Sequence, residues 1–302
     1  MANGPVLRTI RPGDTSKADP LTIVVVANPV LESPMQSGNF VDDPIIADPH
    51  SFDVAVNYID QALFGGLPNQ SERFLGEPTI APAIKLVSLF VSGLPSEDAN
   101  ALVSEHNTSN LLVARRAVFV PFLAHYGLQA DVAYAVSQSA SHDRASAWFT
   151  TDDDARPGVP FTFDGNNYVH RFYNLIPGTV AIHSTSKSLT ALHEFGHALS
   201  SYSNGSVVDL YVDSVAGLNN KRLRPIPDKF ADYDGITTTS DASRDHLGYP
   251  PTWQSYHCEL VAPFPAVMDN YWQSADGVPE HCQHDRITQK FLLDRVRAKL
   301  AR

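Results

Sequence analysis

The apolar positions of this chain follow two rhythms. Leu21 to Ala27 (L-T-I-V-V-V-A) is a continuous, β-branched run, the pattern of a strand buried on both faces. Ile84 to Val91, Val113 to Pro121, Val132 to Val136 and a piece beginning at Ala147 to Phe149 read as further strands. Between them the period lengthens. Phe52, Ala55, Val56, Ile59, Ala62 and Leu63 keep helical spacing, with Ser51 as N-cap and Gly65-Gly66 as stop. Pro95 to Val103 reads as a second helix. Ile287, Phe291, Leu292, Val296 and Leu300 form the buried stripe of a C-terminal helix capped by Asp285. Residues 1–20, rich in Pro, Gly and Asp, read as a frayed, extended lead-in, and residues 28–49 as a long irregular connection. Strands alternating with helices pack naturally as an open sheet covered by helices.

The next stretch carries the chemistry. Phe161 to Tyr173 reads as a hairpin around Asp164-Gly165. Val180 and Ile182 alternate with Ala181 and His183, a half-buried strand leading into Leu189–Tyr202 (L-T-A-L-H-E-F-G-H-A-L-S-S-Y). Leu189, Leu192, Gly196 and Leu199 make an apolar helical stripe, Ser184 to Ser186 offer N-cap oxygens, and Asn204-Gly205 supplies a stop. This helix holds His193-Glu194-x-x-His197. Residues four apart share a face with Cβ atoms about 5–6 Å apart. Two imidazoles so placed can converge on one Zn²⁺ at about 2.0–2.1 Å per bond. Glu194, rotated about 100° from His193, can take a proton from a water that the ion activates. His183, at a strand end, is expected to pack or hydrogen-bond rather than ligate.

Composition narrows the partners. A net charge of −11 argues against nucleic acid, which requires clustered Lys and Arg; the only such cluster is Lys221-Arg222-Leu223-Arg224. No apolar run approaches the roughly 20 residues that span a membrane. No apolar leader is visible, so a cytoplasmic location is the expectation, with secretion as the alternative. Cys258 and Cys282 are the only cysteines and read as buried thiols, a disulfide being the alternative. Neither G-x-G-x-x-G nor a P-loop occurs. Asp152 to Asp154 reads as a solvated turn, and Asp232-Tyr-Asp234-Gly235 resembles a calcium loop without the rest of an EF-hand pattern. Beyond Gly205 the pattern loses periodicity, and residues 214–256 are rich in Gly, Pro, Asp and Ser.

Together, H-E-x-x-H, the strand before it and the change of texture after Gly205 resemble the zincin metallopeptidases. The resemblance implies an α+β, two-lobed catalytic domain over residues 21–302. Its upper lobe (21–204) would hold a twisted mixed sheet and the active-site helix. Its lower, irregular lobe (205–302) would end in the C-terminal helix. It also implies one catalytic zinc ion, a peptide or protein substrate, and a third ligand from the lower lobe. The metzincin continuation fails, because Ser200 and Ser203 stand at its positions. Asn204-Gly205-Ser-Val-Val-Asp209-Leu-Tyr211 is similar to the aspzincin arrangement, so Asp209 is the favoured ligand, with Asp213 and Glu259 as alternatives. Pro265-Ala-Val-Met268-Asp-Asn-Tyr271 resembles the metzincin Met-turn, which makes Tyr271 a candidate transition-state donor beside Tyr211 and His246. The strand Thr179–His183 would pair with an extended substrate. A binding protein that holds metal without turnover, and a hydrolase of a non-peptide amide, are the rival readings.

Overall fold

The computed structural model describes residues 4–14, 16, 20–70, 72–148, 159–163, 166–170, 177–186, 189–200, 224–225, 237–239, 253–257, 267–268, 278, 281–284 and 286–301. In chain order, β1 (Val6–Pro12), β2 (Leu21–Ala27), β3 (Val30–Glu32) and β4 (Phe40–Asp42) precede α1 (Pro49–Phe64). Then come β5 (Ile84–Phe90), β6 (Ala101–Glu105), β7 (Leu112–Ala114), α2 (Arg116–His125), β8 (Val132–Ser137) and β9 (Ser146–Trp148). A hairpin of β10 (Val159–Phe163) and β11 (Asn166–His170) leads to β12 (Gly178–His183) and α3 (Thr190–Leu199). Last are β13 (Arg224–Pro225), β14 (Thr237–Thr239), β15 (Trp253–His257) and α4 (Arg286–Leu300).

Among the described residues the chain is a mixed α and β structure with four helices and two larger mixed sheets. The six-stranded sheet runs β1-β5-β2-β8-β12-β9. Its four central strands are parallel, and an antiparallel strand lies on each side, β1 against β5 and β9 against β12. The four-stranded sheet runs β4-β3-β6-β7. The central strands are buried on both faces, which explains their unbroken apolar runs. Ile23, Val25, Tyr134, Val180 and Ile182 face α1, α3 and α4, whereas Val24, Val26, Ala133 and Ala181 face α2 and the smaller sheet. Three buried acids at the strand ends are satisfied by short polar side chains. Asp43 accepts from Asn28, Ser137 and the Gln138 amide, Glu105 accepts from Ser33 and Ser139, and Glu32 accepts from Ser104.

The fold corrects several expectations. Residues 6–12 are not a frayed lead-in: they form β1, which pairs with β5 and is tied to α1 by Arg8–Asp53 and Arg11–Asp60 ion pairs. Residues 28–49 contain β3 and β4. Helix α1 begins earlier than expected, because Asp48 rather than Ser51 is the N-cap and its carboxylate accepts the Ser51 amide at 3.0 Å. Its stop at Gly65 is as expected, with φ 77°. The helix expected over 95–103 is a short turn followed by β6, since Ala101 to Val103 are fully buried in the ladder between β3 and β7. The strand expected over 113–121 ends at Ala114. From Arg116 onward the chain is α2, whose Val118, Phe119, Phe122 and Leu123 close one core. Packing of that face outweighs the helix bond forgone at Pro121. No helix among the described residues is long and apolar enough to cross a membrane.

Candidate metal centre

Helix α3 follows β12 and folds back over it, so that Gly178 at the start of the strand lies against the Ala198 carbonyl at the end of the helix. Leu189, Ala191, Leu192, Phe195, Ala198 and Leu199 are buried, as the apolar stripe requires. His193 and Glu194 are also buried, at 5% and 7% exposure, and His197 is half-buried. At its start the helix lacks the local cap expected for it. Its N-cap is Leu189 with no side-chain bond, not a residue of Ser184 to Ser186. It ends at Ser200, whose hydroxyl donates to the His197 carbonyl at 2.7 Å; Asn204-Gly205 lies outside the described residues. Other elements hold it instead. The Tyr134 hydroxyl on β8 donates to the Ala191 carbonyl at 2.8 Å, and Arg295 of α4 donates to the Leu199 carbonyl at 2.7 Å. Burial, with the Glu194 carboxylate nearby, pushes the Tyr134 phenol well above 10.0, so it remains a donor.

The two imidazoles converge. Their Nε2 atoms are 3.3 Å apart and the rings stand at 83° to each other. Two bonds of about 2.0–2.1 Å meeting at a tetrahedral angle place their nitrogens about 3.3 Å apart, so this spacing suits a shared zinc ion. The tautomer suits it too. His193 Nδ1 lies 2.6 Å from the Val267 carbonyl, which can only accept. A proton is therefore on Nδ1, which leaves Nε2 as the nitrogen of the neutral ring that can offer a lone pair, the orientation that partners behind a metal-bound histidine commonly impose. Glu194 is the next residue along the same helix.

Val267 and Met268 form a turn, both are fully buried, and Met268 Sδ lies 2.9 Å from where a Cβ on Gly196 would stand. Gly196 is thus a close-approach glycine on the floor of the histidine pair. Asp209, Tyr211, Asp213, His246, Glu259 and Tyr271 lie outside the described residues, as do Cys258, Asp152 to Asp154 and Asp232 to Gly235. Among the described residues no three or more His, Cys, Asp or Glu side chains gather as a metal cage. His193 and His197 supply two donors, and every candidate for the third falls on the undescribed part. Cys282 is buried. His183 behaves as expected, bonding Thr185 Oγ1 at 2.8 Å and the Ser139 carbonyl at 3.1 Å.

One expectation is overturned. β12 cannot serve as the free strand for a substrate over Thr179–Ala181, because β8 pairs with one side and β9 with the other. The outermost strand on this side is β9, antiparallel to β12 and packed against α3. Sequence reading also missed the Val267 carbonyl behind His193, the Tyr134 and Arg295 side chains that bond other carbonyls of α3, and a buried Glu72–His284 pair. A backbone carbonyl has no sequence signature, and Glu72 and His284 stand 212 residues apart. No protein-family model, curated protein or solved structure matches the chain.

Proposed function

We propose that the chain is a zinc-dependent peptidase of zincin-like build, with the six-stranded sheet and α3 in its upper lobe and with α4 packed in the same core rather than in a separate lower lobe. The observation that carries this reading is the 3.3 Å approach of the His193 and His197 Nε2 atoms, with the Val267 carbonyl fixing the His193 tautomer. His193, His197 and Asp209 would hold the ion, Asp213 and Glu259 being the alternatives for the third position, on the rule that catalytic zinc takes three protein ligands and leaves one site open. When bound, zinc supplies Lewis acidity, polarising a carbonyl and lowering the pKa of a coordinated water to about 7.

Glu194 takes the proton of the attacking water and returns it to the leaving amine. Its burial excludes bulk solvent from that transfer. Tyr271 is the proposed donor to the developing oxyanion, a role that requires a hydroxyl about 2.7–3.1 Å from that oxygen. An extended peptide pairs with β9 by main-chain hydrogen bonds.

The test is Glu194→Ala, read by metal analysis and by hydrolysis of an unstructured protein such as casein. Zinc content should match the native chain while hydrolysis is lost. Hydrolysis that persists in the variant overturns the mechanism. A native chain that binds zinc stoichiometrically but cleaves nothing leaves the metal-holding binding protein.

A further inference from the structure

Beneath α3 lies a polar pair in an otherwise apolar floor. Glu72, between α1 and β5, and His284, just before α4, are 3% and 2% exposed. The Glu72 carboxylate accepts the His284 amide at 2.7 Å, the His284 Nδ1–H at 3.0 Å and the Gln289 side-chain amide at 3.2 Å. The His284 ring packs on Phe74 at 5.1 Å between centroids, and Phe74 meets Phe195 of α3 edge-on at 5.8 Å. Among the described residues His284 Nε2 is buried without a hydrogen-bond partner, and it lies 3.5 Å from the position of a Cβ on Gly196. A buried carboxylate and an unsatisfied ring nitrogen are both costly, and apolar side chains of similar volume would serve the core better. Packing alone gives no reason for the pair.

The hydrogen-bond path supplies one. Glu72 grips residue 284 by both its amide and its ring. The carbonyl of the preceding residue, Gln283, accepts the Val267 amide at 2.9 Å. The carbonyl of that same Val267 accepts from His193 Nδ1 at 2.6 Å. Met268, the next residue, fills the space at Gly196.

We propose that Glu72 and His284 are positioning residues: they anchor the 283–284 segment, which holds the Val267 carbonyl, which sets the tautomer and aim of His193. This inference rests on the metal-centre reading. The carboxylate acts at two removes from the imidazole, and its effect is on how well His193 is oriented for a ligand rather than on any proton it transfers.

The experiment compares the native chain with Glu72→Gln, which preserves shape but replaces one accepting oxygen by a donor. Zinc affinity is measured by competition with a chromophoric chelator, and ligand geometry by the visible spectrum of the Co²⁺-loaded protein. Loss of partners behind a metal-bound histidine typically costs 10–100-fold in affinity. A loss of about that size, with an altered Co²⁺ spectrum in a chain still folded by circular dichroism, is the expected result. Ile59→Ala, in the same core but off this path, should lower the melting temperature and leave both metal readouts unchanged. Glu72→Gln with native affinity and spectrum overturns the inference while the metal centre stands. If Glu72→Gln fails to fold, Gln289→Leu, which removes only the outer donor, carries the test: a smaller loss in the same direction supports it and unchanged affinity overturns it. A native chain that takes up no zinc overturns the metal-centre reading and this inference with it.

Discussion

Helices α1 and α3 pack on the same side of the six-stranded sheet, yet α1 carries its instructions at both of its own ends, whereas α3 begins without a side-chain cap. α1 has Asp48 as a bonded N-cap, Pro49 in its first turn and Gly65 in the left-handed region as its stop. Its buried face, from Phe52 to Phe64, is apolar throughout. α3 begins at an uncapped Leu189, and its buried residues include His193 and Glu194. It is held by the Tyr134 hydroxyl, by Arg295 and by the close fit of Met268 at Gly196. A helix stabilised by its own sequence can sit anywhere its apolar face fits. One stabilised by three other elements is fixed in rotation and height, and two imidazoles that must meet within tenths of an ångström require that.

Truncating a buried ring on each helix gives the largest contrast. Phe52→Ala and Phe195→Ala should each cost about 3–5 kcal/mol in denaturant unfolding. Only Phe195→Ala should also weaken zinc binding by the folded protein; equal metal affinities would erase the distinction drawn between the helices. Gly196→Val comes next. Overpacking against Met268 should cost about 1–3 kcal/mol and disturb the Co²⁺ spectrum, although an ordinary helix gains from losing a glycine. A variant as stable as the native chain would show that the floor at Met268 yields freely.

Smaller effects separate the two modes of capping. Asp48→Ala should cost about 1 kcal/mol and speed amide exchange in the first turn of α1. Tyr134→Phe should cost about 1 kcal/mol and speed exchange in α3 instead. Exchange that rises in the same helix for both variants would contradict the assignment of these bonds.

The smallest expected effect lies away from both helices. Burial opposes ionisation of Glu105, but hydrogen bonds from Ser139 and Ser33, the His142 charge and Ser141 outweigh it and hold the carboxyl below its ordinary 4.5. Because the folded value is the lower one, this stabilisation is complete above pH 4.5 and is lost as pH falls through the folded value. Burial shifts Asp43 the opposite way, above 3.8, so its contribution grows on acidification. Ser139→Ala removes the first of the Glu105 hydrogen bonds together with the two pH-independent bonds that its hydroxyl accepts from the Ser141 and His142 amides. Its stability deficit should be clear at neutral pH and shrink in acid, and a deficit independent of pH would exclude Glu105 as the cause.

Elements with local signals can be read along the chain. Leu21–Ala27 and Val132–Val136 are strands because β-branched side chains buried on both faces leave an unbroken apolar run. α1 reads directly from its period and its glycine stop. H-E-x-x-H sets two imidazoles on one helical face by pitch alone. Tertiary structure decided whatever depends on a partner far along the chain. Ala101–Val103 and Arg116–Pro121 exchanged their expected forms because ladder pairing and core packing outweigh weak local preferences. The Thr179–Ala181 strand became interior because β9 returned to pair with it. The tautomer of His193 depends on a carbonyl at Val267, and that carbonyl depends on Glu72. Periodicity records which face a residue turns inward; only folding brings it a neighbour, because contacts between remote segments leave no regular spacing along the chain.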